Sequence, residues 1–239
     1  HPGAGAIHTQ SYWSGYNQLM ASDLMDEGLS PDEIIDYIVE NDVSNNPFIR
    51  QYGIVDLYEG GRSAAYTGEN CMDYKGHILG PTYAIQGNIL LREEVLINME
   101  NNFNSTVGTL SDKLMAALQG ANMPGADSRC LGDGISSLSA FIRVADPTDN
   151  ENELLLDLNI NNTNNGQEPI DLLQDLYDQW VYDQDPTGDI NQDGNLDISD
   201  LIILIDFILE EIYDSNGDMN YDGGLNIQDI MLLINSIIS

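Results

Sequence analysis

Apolar positions along the 239 residues change their spacing repeatedly, and each change predicts an element. A small, apolar stretch with Ile7, Thr9, Tyr12 and Trp13 predicts a strand and its exit over residues 3–13. Leu19, Met20 and Leu24 then recur at helical spacing across 16–26. Ser30-Pro31-Asp32-Glu33 has a Ser cap, a Pro at the first helical position and acids in the first turn. It predicts a helix running through Ile34, Ile35, Tyr37, Ile38 and Val39 to about Asn41. Residues 51–58 and 63–67 read as two strands around a Glu59-Gly60-Gly61 turn, and 83–90 as another. Amphipathic spacing predicts helices at 92–103 and 108–118. Strands follow at 137–144 and 154–160, the second after a polar turn at 146–151. Glu168-Pro169 opens a helix through Leu172, Leu173, Leu176 and Trp180. The Asp, Gln, Pro, Thr and Gly residues of 182–188 predict a linker. This divides the chain into a domain at 1–182, a linker at 183–188 and a second domain at 189–239. Clustered strands beside paired helices point to an α+β arrangement, helices layered on sheets. No glycine-rich phosphate loop, Gly-x-Ser-x-Gly elbow or Cys-x-x-Cys occurs.

The second domain carries one twelve-residue pattern twice, offset by 29 residues. The first copy places Asp189, Asn191, Asp193, Asn195, Asp197 and Asp200 at positions 1, 3, 5, 7, 9 and 12. The second places Asp218, Asn220, Asp222, Gly224, Asn226 and Asp229 there. Both have Gly at position 6, and both run into apolar helical stretches, 201–209 and 230–238. Oxygen donors at this spacing are what Ca²⁺ needs: it takes six to eight oxygens, and the glycine permits the turn that gathers them. Position 7 contributes a backbone carbonyl, so the expectation is two calcium sites. Asp at position 12 is shorter than the usual bidentate Glu.

Charge narrows the partners. Forty acidic residues against seven basic ones give a formal net charge of −33. Nucleic acid is excluded, because neutralising phosphates takes clustered Lys and Arg. Such a surface suits a secreted or salt-adapted protein. No apolar run reaches 18 residues and no signal-peptide pattern appears, so no membrane span is expected. Cys71 and Cys130 are two buried thiols or, in an extracellular protein, a disulfide. The Cys71–Cys130 disulfide is the expectation carried forward. Tyr12, Trp13 and Tyr16 are either an aromatic platform for sugars or core packing at a strand–helix junction, the latter being the ordinary use of aromatics.

Two family resemblances follow from these motifs. Residues 186–239, with every ligand position of both loops filled, resemble a type I dockerin, a small all-α module of paired loop–helix repeats. The resemblance implies calcium-dependent folding, a cohesin-like partner or a self partner, attachment to an extracellular scaffold, and a partner surface on exposed helix residues. Loop positions ten and eleven are Ile198-Ser199 and Ile227-Gln228, unlike the small hydroxyl pairs of many cellulosomal dockerins.

Residues 3–182 resemble the Ntn-hydrolase-like family called domain of unknown function 1028. The resemblance is carried by Gly3-Ala-Gly-Ala-Ile-His-Thr9-Gln10, Gly28-Leu-Ser-Pro-Asp-Glu33, Gln51-Tyr-Gly53-Ile-Val-Asp56, Tyr66-Thr67-Gly68-Glu69-Asn-Cys71, Tyr83-Ala-Ile-Gln86-Gly87-Asn88 and Gly125-Ala-Asp127-Ser-Arg129. It implies an αββα sandwich. It also implies a strand hairpin ahead of Gly3, ~40 residues by ordinary strand dimensions, which this sequence does not carry. True Ntn hydrolases use the first residue of the mature chain, a Thr, Ser or Cys, as nucleophile; residue 1 here is His.

Within the resembling segments Thr67, Glu69, Gln86, Asn88, Asp127 and Arg129 form a polar set. As a pocket it would orient an amide substrate, with Asp127 or Glu69 as acid/base. As structure it would hold strand ends and turns by hydrogen bonds. Three functions stay open: a secreted assembly protein docked through its calcium module and extended by strand complementation into a filament; an extracellular amidohydrolase whose nucleophile lies on the absent segment; and a ligand-binding module displayed on a scaffold.

Overall fold

The computed structural model describes residues 1–150, 153–163, 166–183, 188–191 and 193–238. Residues 184–187, the middle of the expected linker, lie outside them. The chain resolves into two compact units, His1–Thr106 with Lys113–Gln174, and Val107–Asp112 with Asp175–Ser239.

The first unit begins with β1 (Gly5–Gln10), α1 (Gly15–Asp26) and α2 (Pro31–Glu40), followed by β2 (Gln51–Asp56) and β3 (Arg62–Thr67). The three strands form one antiparallel sheet in the order β1-β2-β3. The predicted start of α2 holds: Ser30 accepts from the Glu33 N–H at 3.4 Å, and the Glu33 carboxylate accepts from the Ser30 N–H at 2.9 Å. Its apolar stripe, Ile34, Ile35 and Ile38, is buried with Ala21 and Met25 of α1 against Tyr52, Ile54 and Ala64 of the sheet.

The sheet's other face meets a hairpin, β4 (Gly76–Gly80) and β5 (Tyr83–Gly87), which contacts β2 and β3. Gly53 makes the close approach possible, since a Cβ there would sit 2.2 Å from Gln86 Oε1. Helix α3 (Glu94–Ser105) lies on the hairpin, where Tyr83 donates its hydroxyl to Glu100 at 2.7 Å. Next come α4 (Leu110–Gly120), the antiparallel pair β6 (Ala140–Val144) and β7 (Leu156–Ile160), and α5 (Pro169–Asp183). The sequence pattern contains no signal for β4: flanked by glycines and carrying His77, it is held by pairing with β5 rather than by apolar alternation.

A buried polar knot ties α1 to β2. Asp42, fully buried, accepts from Arg50 Nε at 2.8 Å and Asn17 Nδ2 at 2.5 Å on one oxygen. Its other oxygen accepts the N–H groups of Ser44 and Asn46, both at 3.0 Å. Asn17 also donates to the Tyr52 hydroxyl, and the Arg50 guanidinium to the Tyr12 carbonyl. Burial alone would raise the Asp42 pKa; Arg50 and the amide donors outweigh it and bring it to about 2.

The expected Cys71–Cys130 disulfide is not formed. Both cysteines are free, buried thiols. The Cys71 thiol is instead satisfied by donating to the Arg50 carbonyl at 3.3 Å.

The second unit contains α6 (Ile198–Glu210) and α7 (Ile227–Ile238), which pack on each other. Its core is Ile190, Leu204 and Leu233, with Leu196, Phe207, Met219 and Leu225 half-buried around them.

Candidate functional site

The two repeated loops fold alike, almost bond for bond. The Asp189 carboxylate accepts from the N–H groups of Asp193 (3.1 Å) and Gly194 (2.8 Å). Asp218 accepts from Asp222 (3.1 Å) and Gly223 (2.9 Å). Asn191 and Asn220 accept from the same Asp193 and Asp222 N–H groups. Gly194 and Gly223 sit at φ +85° and +81°, the left-handed conformation that favours glycine. At the helix starts, Asp197 caps α6 through the Ser199 N–H (2.7 Å), and Asn226 accepts from the Gln228 N–H (2.8 Å) at the start of α7. Asp200 reaches back to Ile190, Asn191 and Asp197, and Asp229 to Asn220 and Asn226.

Asp200, Asp218 and Asp229 are buried. No Lys, Arg or His follows Arg143 in the sequence, while residues 189–239 hold eleven carboxylate side chains. Buried carboxylates require pairing or a metal, and this stretch contains no cation of its own. Among the described residues no three His, Cys, Asp or Glu side chains gather as a metal group. The donors of each loop are mixed, carboxylates with Asn amides and a backbone carbonyl, which is the oxygen set of a hard cation. The residues present therefore fit Ca²⁺.

The helices leave a matched apolar surface. Ile198, Ile202, Ile205 and Leu209 of α6 lie at spacing i, i+4, i+7, i+11 and are exposed. Ile227, Met231, Ile234 and Ile238 of α7 repeat it residue for residue at the 29-residue offset. Exposure along the two rows runs from 37% to 76%, so helix packing leaves neither row covered.

In the first unit the expected polar set separates. Its centre is a residue the sequence did not single out, Gln51, which is fully buried. Gln51 Nε2 lies within hydrogen-bond distance of Thr67 Oγ1 (2.9 Å) and the Gly76 (3.0 Å) and Gly87 (2.9 Å) carbonyls. Its Oε1 accepts from Gln10 (2.6 Å) and Asn88 (3.0 Å). Thr67 also meets His77 Nδ1 at 2.9 Å. Desolvation holds the His77 imidazole below its ordinary pKa, which favours the neutral ring; in the tautomer protonated at Nε2, its Nδ1 accepts the Thr67 proton. Gln86 Oε1 is buried without a hydrogen-bond partner. Asp127 belongs to a local pair instead: it binds Arg129 at 2.5 Å and caps the turn at 128–133 through the Arg129 N–H. Glu69 is exposed. The signal for Gln51 was a polar residue opening an otherwise apolar strand. Tyr12, Trp13 and Tyr16 are exposed, against the expectation of core packing. The Arg50 contact to the Tyr12 carbonyl and a 2.5 Å bond from the Trp13 indole N–H to Gln18 hold this turn outside the core.

A mixed α/β domain joined to a duplicated loop–helix module is the class these features define. The chain belongs to the family of unknown function DUF1028, which matches residues 1–172, and residues 187–238 match the dockerin type I domain. Calcium is the cation that type I dockerins bind. Among solved structures, protein SPO2555 from Silicibacter pomeroyi, of the same DUF1028 family, is similar at 25% identity. The match has a TM-score of 0.59 and covers 74% of this chain and 72% of that one. No curated protein matches the chain.

Proposed function

We propose that the protein is an extracellular assembly component, fixed to a cohesin partner by a dockerin that holds two calcium ions. The ligands are Asp189, Asn191, Asp193, the Asn195 carbonyl, Asp197 and Asp200 in the first loop. In the second they are Asp218, Asn220, Asp222, the Gly224 carbonyl, Asn226 and Asp229. The observation that carries the reading is the pair of exposed apolar rows on α6 and α7. Two uncovered rows in identical register, each rooted in a calcium loop, are what a docking surface requires.

Titration of the full chain with type I cohesins tests this by calorimetry. Calcium-dependent binding is expected, lost on EGTA addition and weakened at least tenfold by the double substitution Ile202→Asp, Met231→Asp. If no type I cohesin binds the calcium-loaded chain, the reading fails.

A second reading concerns the larger domain. Helices α1 and α2 on the sheet, the sheet against a hairpin and α3 on the hairpin support an αββα Ntn-hydrolase-like sandwich. The Thr67–His77 contact favours an amidohydrolase, because it sets a hydroxyl beside a base. Strand addition at β1, which pairs only with β2 among the described residues, favours assembly between copies instead. Light scattering of the purified chain separates the two: monomers at all concentrations sink the filament.

A further inference from the structure

We infer that the buried Gln51 is the positioning group of the Thr67–His77 pair: it fixes the direction of their hydrogen bond, so that Thr67 donates and His77 Nδ1 accepts. As a role in a reaction this rests on the amidohydrolase reading. The proton positions do not rest on it, and they are what the test reads.

The direction follows from what each atom can do. Gln51 opens β2 and is fully buried. The Gly76 and Gly87 carbonyls, one on each strand of the facing hairpin, lie 3.0 and 2.9 Å from the same end of its amide. Carbonyl oxygens only accept, so that end is the NH₂ group and the amide cannot be turned over. The other end is the oxygen, so Asn88 (3.0 Å) and Gln10 (2.6 Å) meet it with their amide nitrogens. Gln10 then turns its own oxygen to His8 Nε2 at 3.1 Å, and that nitrogen carries the proton.

Thr67 completes the chain on the other side. Its Oγ1 is 2.9 Å from the Gln51 nitrogen, as close as the two carbonyls. An amide nitrogen donates and does not accept, so the Thr67 hydrogen points elsewhere, and His77 Nδ1 stands 2.9 Å away. The Gln51 NH₂ group serves three oxygens with its pair of hydrogens, so one hydrogen is shared. The donors run one way from end to end: His8 to Gln10, Gln10 to Gln51, Gln51 to Thr67, Thr67 to His77. The ends of this chain, His8 and His77, are exposed, while Gln51 in its middle is buried. The interior thereby sets the tautomers at the surface. A hydroxyl that donates to a neutral imidazole is the arrangement from which a base takes the proton of a nucleophile. With His77 as the donor the same pair could not act so.

Long-range proton–nitrogen correlation spectra of the isotope-labelled full chain, at a pH where both rings are neutral, report which ring nitrogen carries hydrogen. His8 and His77 are each expected as a single tautomer, protonated at Nε2. Gln51→Met keeps length and burial but removes both N–H donors. Thr67 is then free to turn, and His77 is expected to lose its single tautomer. Thr67→Val is expected to cause the same loss, and Thr67→Ser to prevent it. Hydrogen on His77 Nδ1 in the unsubstituted chain overturns the inference. So does an unchanged tautomer in Gln51→Met or Thr67→Val, or its loss in Thr67→Ser. If Gln51→Met does not fold, the unsubstituted chain decides: any state but a single Nε2–H tautomer at either histidine overturns the inference. Failure of the chain to hydrolyse amides sinks the amidohydrolase reading and leaves the tautomers as they are, so the two failures are told apart.

Discussion

Asp42 shows how much one side chain can hold together. It is buried without exposure, yet it remains ionised because Arg50 and three further N–H donors surround it. The sign of its pH dependence follows from the depressed pKa. Its contribution is present above the unfolded value of 3.8 and is lost as pH falls through the folded value of about 2. The interval corresponds to ~2 kcal/mol. Urea unfolding followed by the exposed Trp13, whose turn Arg50 holds, should show this loss between pH 4 and pH 2. Asp42→Asn should abolish that pH step and cost about 3 kcal/mol at neutral pH, since it leaves Arg50 buried without its counter-charge. Nothing in the linear sequence marks Asp42, because its partners arrive from positions 17, 44, 46 and 50.

Elements were legible where the signal is local. The capping box of α2 and the repeated loops are written within twelve residues or fewer, and the structure keeps both. Strand β4 was not legible, because its reason for being a strand is its partner β5. The disulfide failed for a related cause: a cysteine count and an inferred compartment do not say where the thiols point. Gln51 was hidden because a polar residue at a strand start reads as a boundary, whereas here it joins β1, β3 and both hairpin strands. The loop glycines permit a prediction at this scale. A Cβ at Gly223 would meet nothing within 4 Å, so Gly223→Ala is opposed by backbone strain alone. At φ +81° that strain is about 1–2 kcal/mol, so calcium affinity at the second loop should fall about tenfold, read by chelator-buffered titration.

At the scale of the whole chain, the two parts answer to different forces. The larger domain has an apolar core on one face of its sheet and a hydrogen-bonded amide cluster on the other. The C-terminal module has a small core and eleven carboxylates with no basic side chain to offset them. EGTA should therefore remove the helical signal of 189–238 and expose it to protease while the DUF1028 domain stays resistant. Retention of protease resistance by the module in EGTA would refute the dependence on calcium.

The approach of Gly53 to Gln86 carries a consequence for variation in this chain. A methyl group at position 53 would fall 2.2 Å from one amide atom of Gln86 and 2.5 Å from the other. Position 53 can thus acquire a side chain only if position 86 gives up its amide or swings it away. The two sites, 33 residues apart in sequence, are expected to mutate as a pair: in a saturation library, substitutions at 53 should be tolerated only together with smaller residues at 86.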